Sequence, residues 1–208
     1  MTVVALHETF ATAKLHPQLR WFCEPARWSV VAARRCLRVE TEGGTDYWQK
    51  THYGFSADNG HFLYAEFIGD FIATTRVAFQ GVHQYDQAGL MVRISPSCWL
   101  KTSVEYEPHG PSRLGAVVTN AGYSDWSTQD IPSDVRQMWL RIRREEVDYF
   151  VEASRDGASW TQLRVAHLHE DRAGAAAACG LYACSPKAAG FAAEFGFLTV
   201  AAGRIAAE

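Results

Sequence analysis

Two stretches decide the fold of this chain: Gly89-Leu90-Met91-Val92-Arg93-Ile94 and, shortly after, Trp99-Leu100-Lys101-Thr102-Ser103-Val104-Glu105. In the first, Leu90, Val92 and Ile94 alternate with Met91 and Arg93. In the second, Leu100, Thr102 and Val104 alternate with Trp99, Lys101, Ser103 and Glu105. Successive side chains of an extended strand point to opposite faces. Each stretch therefore reads as a strand with one apolar row and one polar or aromatic row.

The same period of two extends along the chain. In Trp139-Leu140-Arg141-Ile142-Arg143, Leu140 and Ile142 form the apolar row. In Asp148–Ser154, Tyr149, Val151 and Ala153 do so. Shorter strands are expected at 28–32, 35–41, 61–67, 71–79, 114–119 and 191–200. Turn signals separate the runs: Gly43-Gly44, Asp58-Asn59-Gly60, Asn120-Ala121-Gly122 and Asp156-Gly157, the last opening a hairpin toward Trp160–Leu163. The Ala-rich stretch 173–178 is read as a helical turn bracketed by Gly174 and Gly180. Many strands at short spacing, with no long helix period, predict an all-β, antiparallel two-sheet β-sandwich. No linker or repeat divides the chain, so residues 1–208 are read as one domain with its core over about 20–200.

Composition sets outer limits. The chain has 208 residues, 48% of them apolar, and a net charge of -3, which excludes a disordered chain. Lys and Arg total 20 against 23 acidic residues, arguing against a nucleic-acid partner held through phosphates. No apolar stretch approaches the ~20 residues of a membrane-spanning helix, so no membrane partner is expected. The five cysteines, Cys23, Cys36, Cys98, Cys179 and Cys184, form neither a disulfide framework nor a zinc pattern. The N-terminal run has no basic region and carries His7 and Glu8, unlike a secretory signal. Free thiols and the missing signal point to a cytoplasmic protein without metal or cofactor.

The polar rows carry the functional reading. If the good strands are neighbours, one face presents Arg93, Trp99, Lys101, Glu105, Trp139, Arg141 and Arg143 together. Flat aromatics with fixed donors and acceptors make a ligand surface. The competing reading is a solvated face laced by cross-strand ion pairs worth a few tenths of a kcal/mol each. Turn-like clusters add Asp46 and Trp48, Tyr85-Asp86-Gln87, and Asp125-Trp126 at the mouth of the face. Against these stand local Asx-turn roles for Asp86 and Asp125 and edge-plugging roles for Trp48 and Trp126.

The strings Thr45-Asp46-Tyr47-Trp48, Tyr85–Val92, Trp99–Glu105, Val117-Val118-Thr119, Ser124–Ser127, Trp139–Arg143 and Ser154–Trp160 occur in one order along the chain. Together, from about Trp21 to Val200, they resemble domain-of-unknown-function family 1349, whose fungal members are described as regulation-of-enolase proteins. The resemblance implies a concanavalin A-like lectin/glucanase jelly roll with a concave face that binds sugars in better-known relatives. Ser103 stands where glycine is common in that pattern, placing a side chain on the concave face.

Three functions follow as expectations. The first is a lectin-like domain that binds a small sugar or glycan, with the cations favouring an anionic one such as a uronate. The second is a glycosidase using Glu105 with Asp86; retaining pairs stand ~5–5.5 Å apart and inverting pairs ~6.5–9.5 Å. Arg141, Arg143 and Lys101 are expected to hold Glu105 ionised, which suits a base better than an acid. The third is a regulatory domain that binds a protein partner without catalysis. Either a monomer or a homodimer fits exposed tryptophans.

Overall fold

The computed structural model describes residues 3–204, and its regular secondary structure is almost all strand. In chain order the strands are β1 (Val3–Glu8), β2 (Arg20–Phe22), β3 (Arg27–Val31), β4 (Cys36–Glu40), β5 (Tyr47–Gln49), β6 (Ser56–Asp58), β7 (His61–Ile68), β8 (Phe71–Phe79) and β9 (Gln87–Ser95). They continue as β10 (Cys98–Glu105), β11 (Ser112–Asn120), β12 (Tyr123–Ile131), β13 (Gln137–Glu145), β14 (Asp148–Ser154), β15 (Thr161–His167), β16 (Ala176–Cys184) and β17 (Ala192–Ala202). One sheet has the order β15-β14-β13-β8-β17-β4-β3, with β1 also on β17; the other has the order β12-β11-β10-β9-β16-β7-β2. Strands pair antiparallel within both, giving the two-sheet sandwich that the alternation predicts and the jelly roll that the resemblance implies.

The apolar rows meet between the sheets. Leu90, Val92, Leu100 and Val104 of one sheet and Leu140, Ile142 and Val151 of the other belong to one buried cluster. Register fixes which row is inside: Leu100 pairs with Val92 and Thr102 with Leu90. A slip of one residue would turn Trp99, Lys101 and Glu105 into that core. The same inward row of β13 carries Arg144, fully buried, which donates to Asp171 through Nη2 (2.6 Å) and Nε (2.9 Å) and to the carbonyls of Gly69 and Ala175. Tyr149 Oη completes this network by donating to Asp171 at 2.5 Å.

Three sequence expectations are corrected. β13 joins β8 and β14 in the sheet opposite β10, so Trp139, Arg141 and Arg143 do not share a face with Lys101 and Glu105. Alternation shows that a row points outward but not from which sheet, because strand pairing is set by distant segments. Residues 123–127 are the first half of the edge strand β12, not a loop. An edge strand has an open flank, so its polar residues need no loop. The two-residue link Ala121-Gly122 has positive φ at both positions (51° and 72°), the geometry of a tight I′-type hairpin. The Ala-rich stretch runs into β16, where Ala177 faces the core. Among the described residues, no helix is long and apolar enough to cross a membrane.

Candidate functional site

The outer face of the β12–β2 sheet is half covered by the short β5–β6 hairpin. Tyr47 and Trp48 of that hairpin pack on Met91, Trp99, Val117 and Tyr182, forming a second apolar cluster outside the sandwich core. Four polar pins hold it down. Tyr47 Oη donates to the Gly60 carbonyl (2.5 Å), and the Gln49 N–H donates to Ser124 Oγ (2.9 Å). Arg93 pairs with Asp58 (2.6 Å), and Lys101 Nζ lies 3.5 Å from Asp46 Oδ1.

Beside the hairpin the face opens into a cavity of about 420 Å³. Trp48, Tyr53, Phe55, Tyr85 and Trp126 wall it, and Asp46, Gln87, Lys101 and Glu105 form its polar part. Val117, Ala57, Gly44, Pro186 and Lys187 complete the lining. Backbone bends unusual for bulky residues occur at Tyr85, which lines the cavity (φ 72°), and at Lys50 and His52 (54° and 62°) in the loop that carries Tyr53 and Phe55. Left-handed conformations of this kind cluster at ligand sites, where surrounding contacts hold them.

The polar groups form a chain. Lys101 is only 3% exposed, and its Nζ donates to Gln87 Oε1 at 2.9 Å. Tyr182 Oη donates to the same oxygen at 3.1 Å. The Gln87 amide nitrogen donates to the Tyr85 carbonyl (3.2 Å) and to Glu105 Oε2 (3.1 Å). Gln87 is thus saturated and positions its neighbours rather than offering itself to a ligand. Glu105 Oε1 is buried with no partner among the described residues. Burial pushes the Glu105 carboxyl up to about 8; Asp46 and Glu107 add to this, while Lys101 and Arg113 oppose it. The expectation that Arg141, Arg143 and Lys101 hold Glu105 ionised does not fit this arrangement, because the two arginines sit on the other sheet and burial outweighs Lys101.

The cavity brings together Asp46, Trp48, Tyr85, Gln87, Lys101, Glu105 and Trp126. The other candidates lie elsewhere. Trp99 shares their face but is completely covered by the hairpin, edge-on to Tyr47 at 6.0 Å between ring centroids. Arg93, tied to Asp58, lies over the Phe22 ring at 4.6 Å, away from the cavity. Asp86 is a buried clamp: its Oδ2 accepts from the N–H groups of Val82 (2.8 Å) and His83 (2.7 Å), and its Oδ1 from Ser185 Oγ (2.7 Å). Asp125 pairs with Arg164 across the sandwich edge at 3.0 Å. On the opposite sheet Arg141 and Arg143 share Glu152 (2.7 and 3.2 Å), while Arg76 stands over Trp139. Sequence reasoning missed Tyr53, Phe55 and Lys187. The first two follow the Trp48 cluster and have no period-two pattern, so only their aromaticity near the Gly43-Gly44 turn could have marked them.

Comparison with known proteins fits this architecture. The family described as "Protein of unknown function (DUF1349)" matches residues 21–202, nearly the whole chain. The chain belongs to the DUF1349 family. Regulation of enolase protein 1 of Saccharomyces cerevisiae is 39% identical over 146 residues, covering 70% of this chain and 72% of that protein. A crystal structure of a functionally unknown Saccharomyces cerevisiae protein superposes with a TM-score of 0.82 at 34% identity, covering 90% of this chain and 98% of that one. The GH43 protein BlXynB of Bacillus licheniformis gives a TM-score of 0.74 at 18% identity over 95% of this chain and 39% of that one. At that identity the likeness is one of fold alone.

Proposed function

We propose that this DUF1349 protein binds a small, uncharged carbohydrate in the cavity beside the β5–β6 hairpin. The observation that carries the reading is an aromatic-walled cavity of about 420 Å³ with Asp46, Lys101 and Glu105 along one side. Its volume lies within the range of small-molecule sites, roughly 300–1,000 Å³. Trp126, 37% exposed on β12, offers a ring face for stacking. Asp46 Oδ1 is engaged by Lys101 and by the Tyr47 N–H at 2.7 Å, while its Oδ2 has no protein partner among the described residues. An acceptor beside an ammonium suits two neighbouring hydroxyls, one donating to Asp46 and one accepting from Lys101.

The expected preference for an anionic sugar does not carry over, because Arg141 and Arg143 stand on the other sheet. Asp86 does not suit a catalytic partner for Glu105, since it is buried and held by two backbone N–H groups and the Ser185 hydroxyl. The free thiols, four of them buried, suit a reducing compartment such as the cytoplasm. A thermal-shift panel of neutral, acidic and amino sugars, followed by calorimetry, tests the reading. Stabilisation by a neutral sugar, abolished in Asp46→Ala, is the expected result; no stabilisation by any sugar refutes it.

A further inference from the structure

We propose that Glu105 meets its ligand as a neutral carboxylic acid, donating its proton to a ring or hydroxyl oxygen. The cavity would then take uncharged rings and release them once that proton is lost. The inference rests on the sugar-site reading and adds to it a specificity-determining group and its direction of hydrogen bonding.

The chain of polar contacts settles where the proton sits. Lys101 is only a donor, so it fixes the carbonyl oxygen of Gln87 toward its Nζ at 2.9 Å, and Tyr182 Oη donates to that oxygen as well. The Gln87 nitrogen is thereby turned toward Glu105 Oε2 at 3.1 Å, which makes that oxygen an acceptor. In the neutral acid the proton then falls on Oε1, the oxygen left without a protein partner. The terminal carboxyl torsion is soft, so a ligand in the cavity that Glu105 lines can draw the unpartnered hydroxyl toward itself in exchange for the Gln87 contact.

Among the described residues, no neighbouring cation pairs directly with Glu105. On β10 itself Lys101 is engaged by Gln87 and Asp46. Arg113, opposite Glu105 on β11, pairs with Asp130. Glu107, just past β10, accepts from Gln84 at 2.9 Å, and Asp46 faces from the loop before β5. Tyr182 and Cys184 on β16 are pushed up by burial and stay neutral, as does Tyr85. Lys187, on the rim, stands over the Tyr85 ring. A buried carboxyl in such company keeps its proton at neutral pH.

Two measurements decide the matter. In ligand-free protein carrying ¹³C-labelled glutamate, the Glu105 carboxyl resonance should titrate near 8; an ordinary acidic midpoint overturns the proposal. Calorimetry with methyl β-xyloside, a neutral pyranose, should show affinity falling about thirtyfold between about pH 6.5 and about pH 9.5, as the protonated fraction falls. Glu105→Gln keeps a donor at this position and should bind with nearly constant affinity over the same range. A pH-independent wild-type affinity, or a Glu105→Gln variant that retains the pH dependence, refutes the donor role. Absence of binding at every pH, with Glu105 still titrating near 8, instead refutes the sugar-site reading and the donor role with it.

Discussion

Glu105→Gln should make the protein more stable, by an amount that depends on pH. Burial pushes the folded-state carboxyl up to about 8 from an ordinary 4.5, so the folded protein should hold this proton after the unfolded chain has released it. Stability is therefore lost as pH rises from the unfolded value through the folded one, by about 1.4 kcal/mol per pH unit. Glutamine is nearly isosteric, can accept from the Gln87 amide through its own carbonyl, and carries no titrating group. Relative to wild type, the variant should gain little near pH 4, about 3 kcal/mol near pH 7, and about 5 kcal/mol once both states of the wild type are ionised. At neutral pH that corresponds to a rise in Tm of roughly 6–12 °C for a domain of this size. Urea unfolding of both proteins across this pH series, followed by circular dichroism, measures the difference directly. A difference that stays flat between about pH 4.5 and about pH 8, or a less stable variant at neutral pH, would show that burial does not hold the proton on Glu105.

Other consequences follow from the same contacts. Arg144→Met leaves Asp171 buried without its cation and should cost about 3–5 kcal/mol in urea unfolding. Asp86→Ala removes the acceptor of two backbone N–H groups and the Ser185 hydroxyl, and should cost at least about 2 kcal/mol. The double variant Arg141→Ala, Arg143→Ala removes contacts to Glu152, Trp160 and Phe150, all on the opposite sheet's side of the molecule. Its affinity for a neutral sugar, measured by calorimetry, should stay within about twofold of wild type, because neither arginine lines the cavity.

The strands around Leu90, Leu100, Leu140 and Val151 were legible because a half-buried strand repeats every two residues whatever its neighbours. Sheet membership was not, since the pairing of β13 with β8 joins residues 59 to 73 positions apart. That single ambiguity moved Trp139, Arg141 and Arg143 onto the wrong face. The site was half legible: Lys101, Glu105 and Trp126 stood out, but the hairpin that buries Trp99 and builds the cavity wall has only three-residue strands. Segments that short carry no period. The protonation of Glu105 was unreadable for a different reason. It depends on Gln87 lying between Lys101 and the carboxyl, and on how little water reaches both, which spacing along one strand cannot show.

Calorimetric titration of a neutral pyranose into wild-type protein and Trp126→Ala tests the central claim most directly. Trp126 lies on an edge strand, partly exposed and outside both buried clusters, so its removal should leave folding intact. The account predicts measurable binding by wild type and a loss of at least about tenfold in the variant, the cost of truncating an aromatic anchor. Equal affinity in the two proteins, or no binding by a correctly folded wild type, would contradict it.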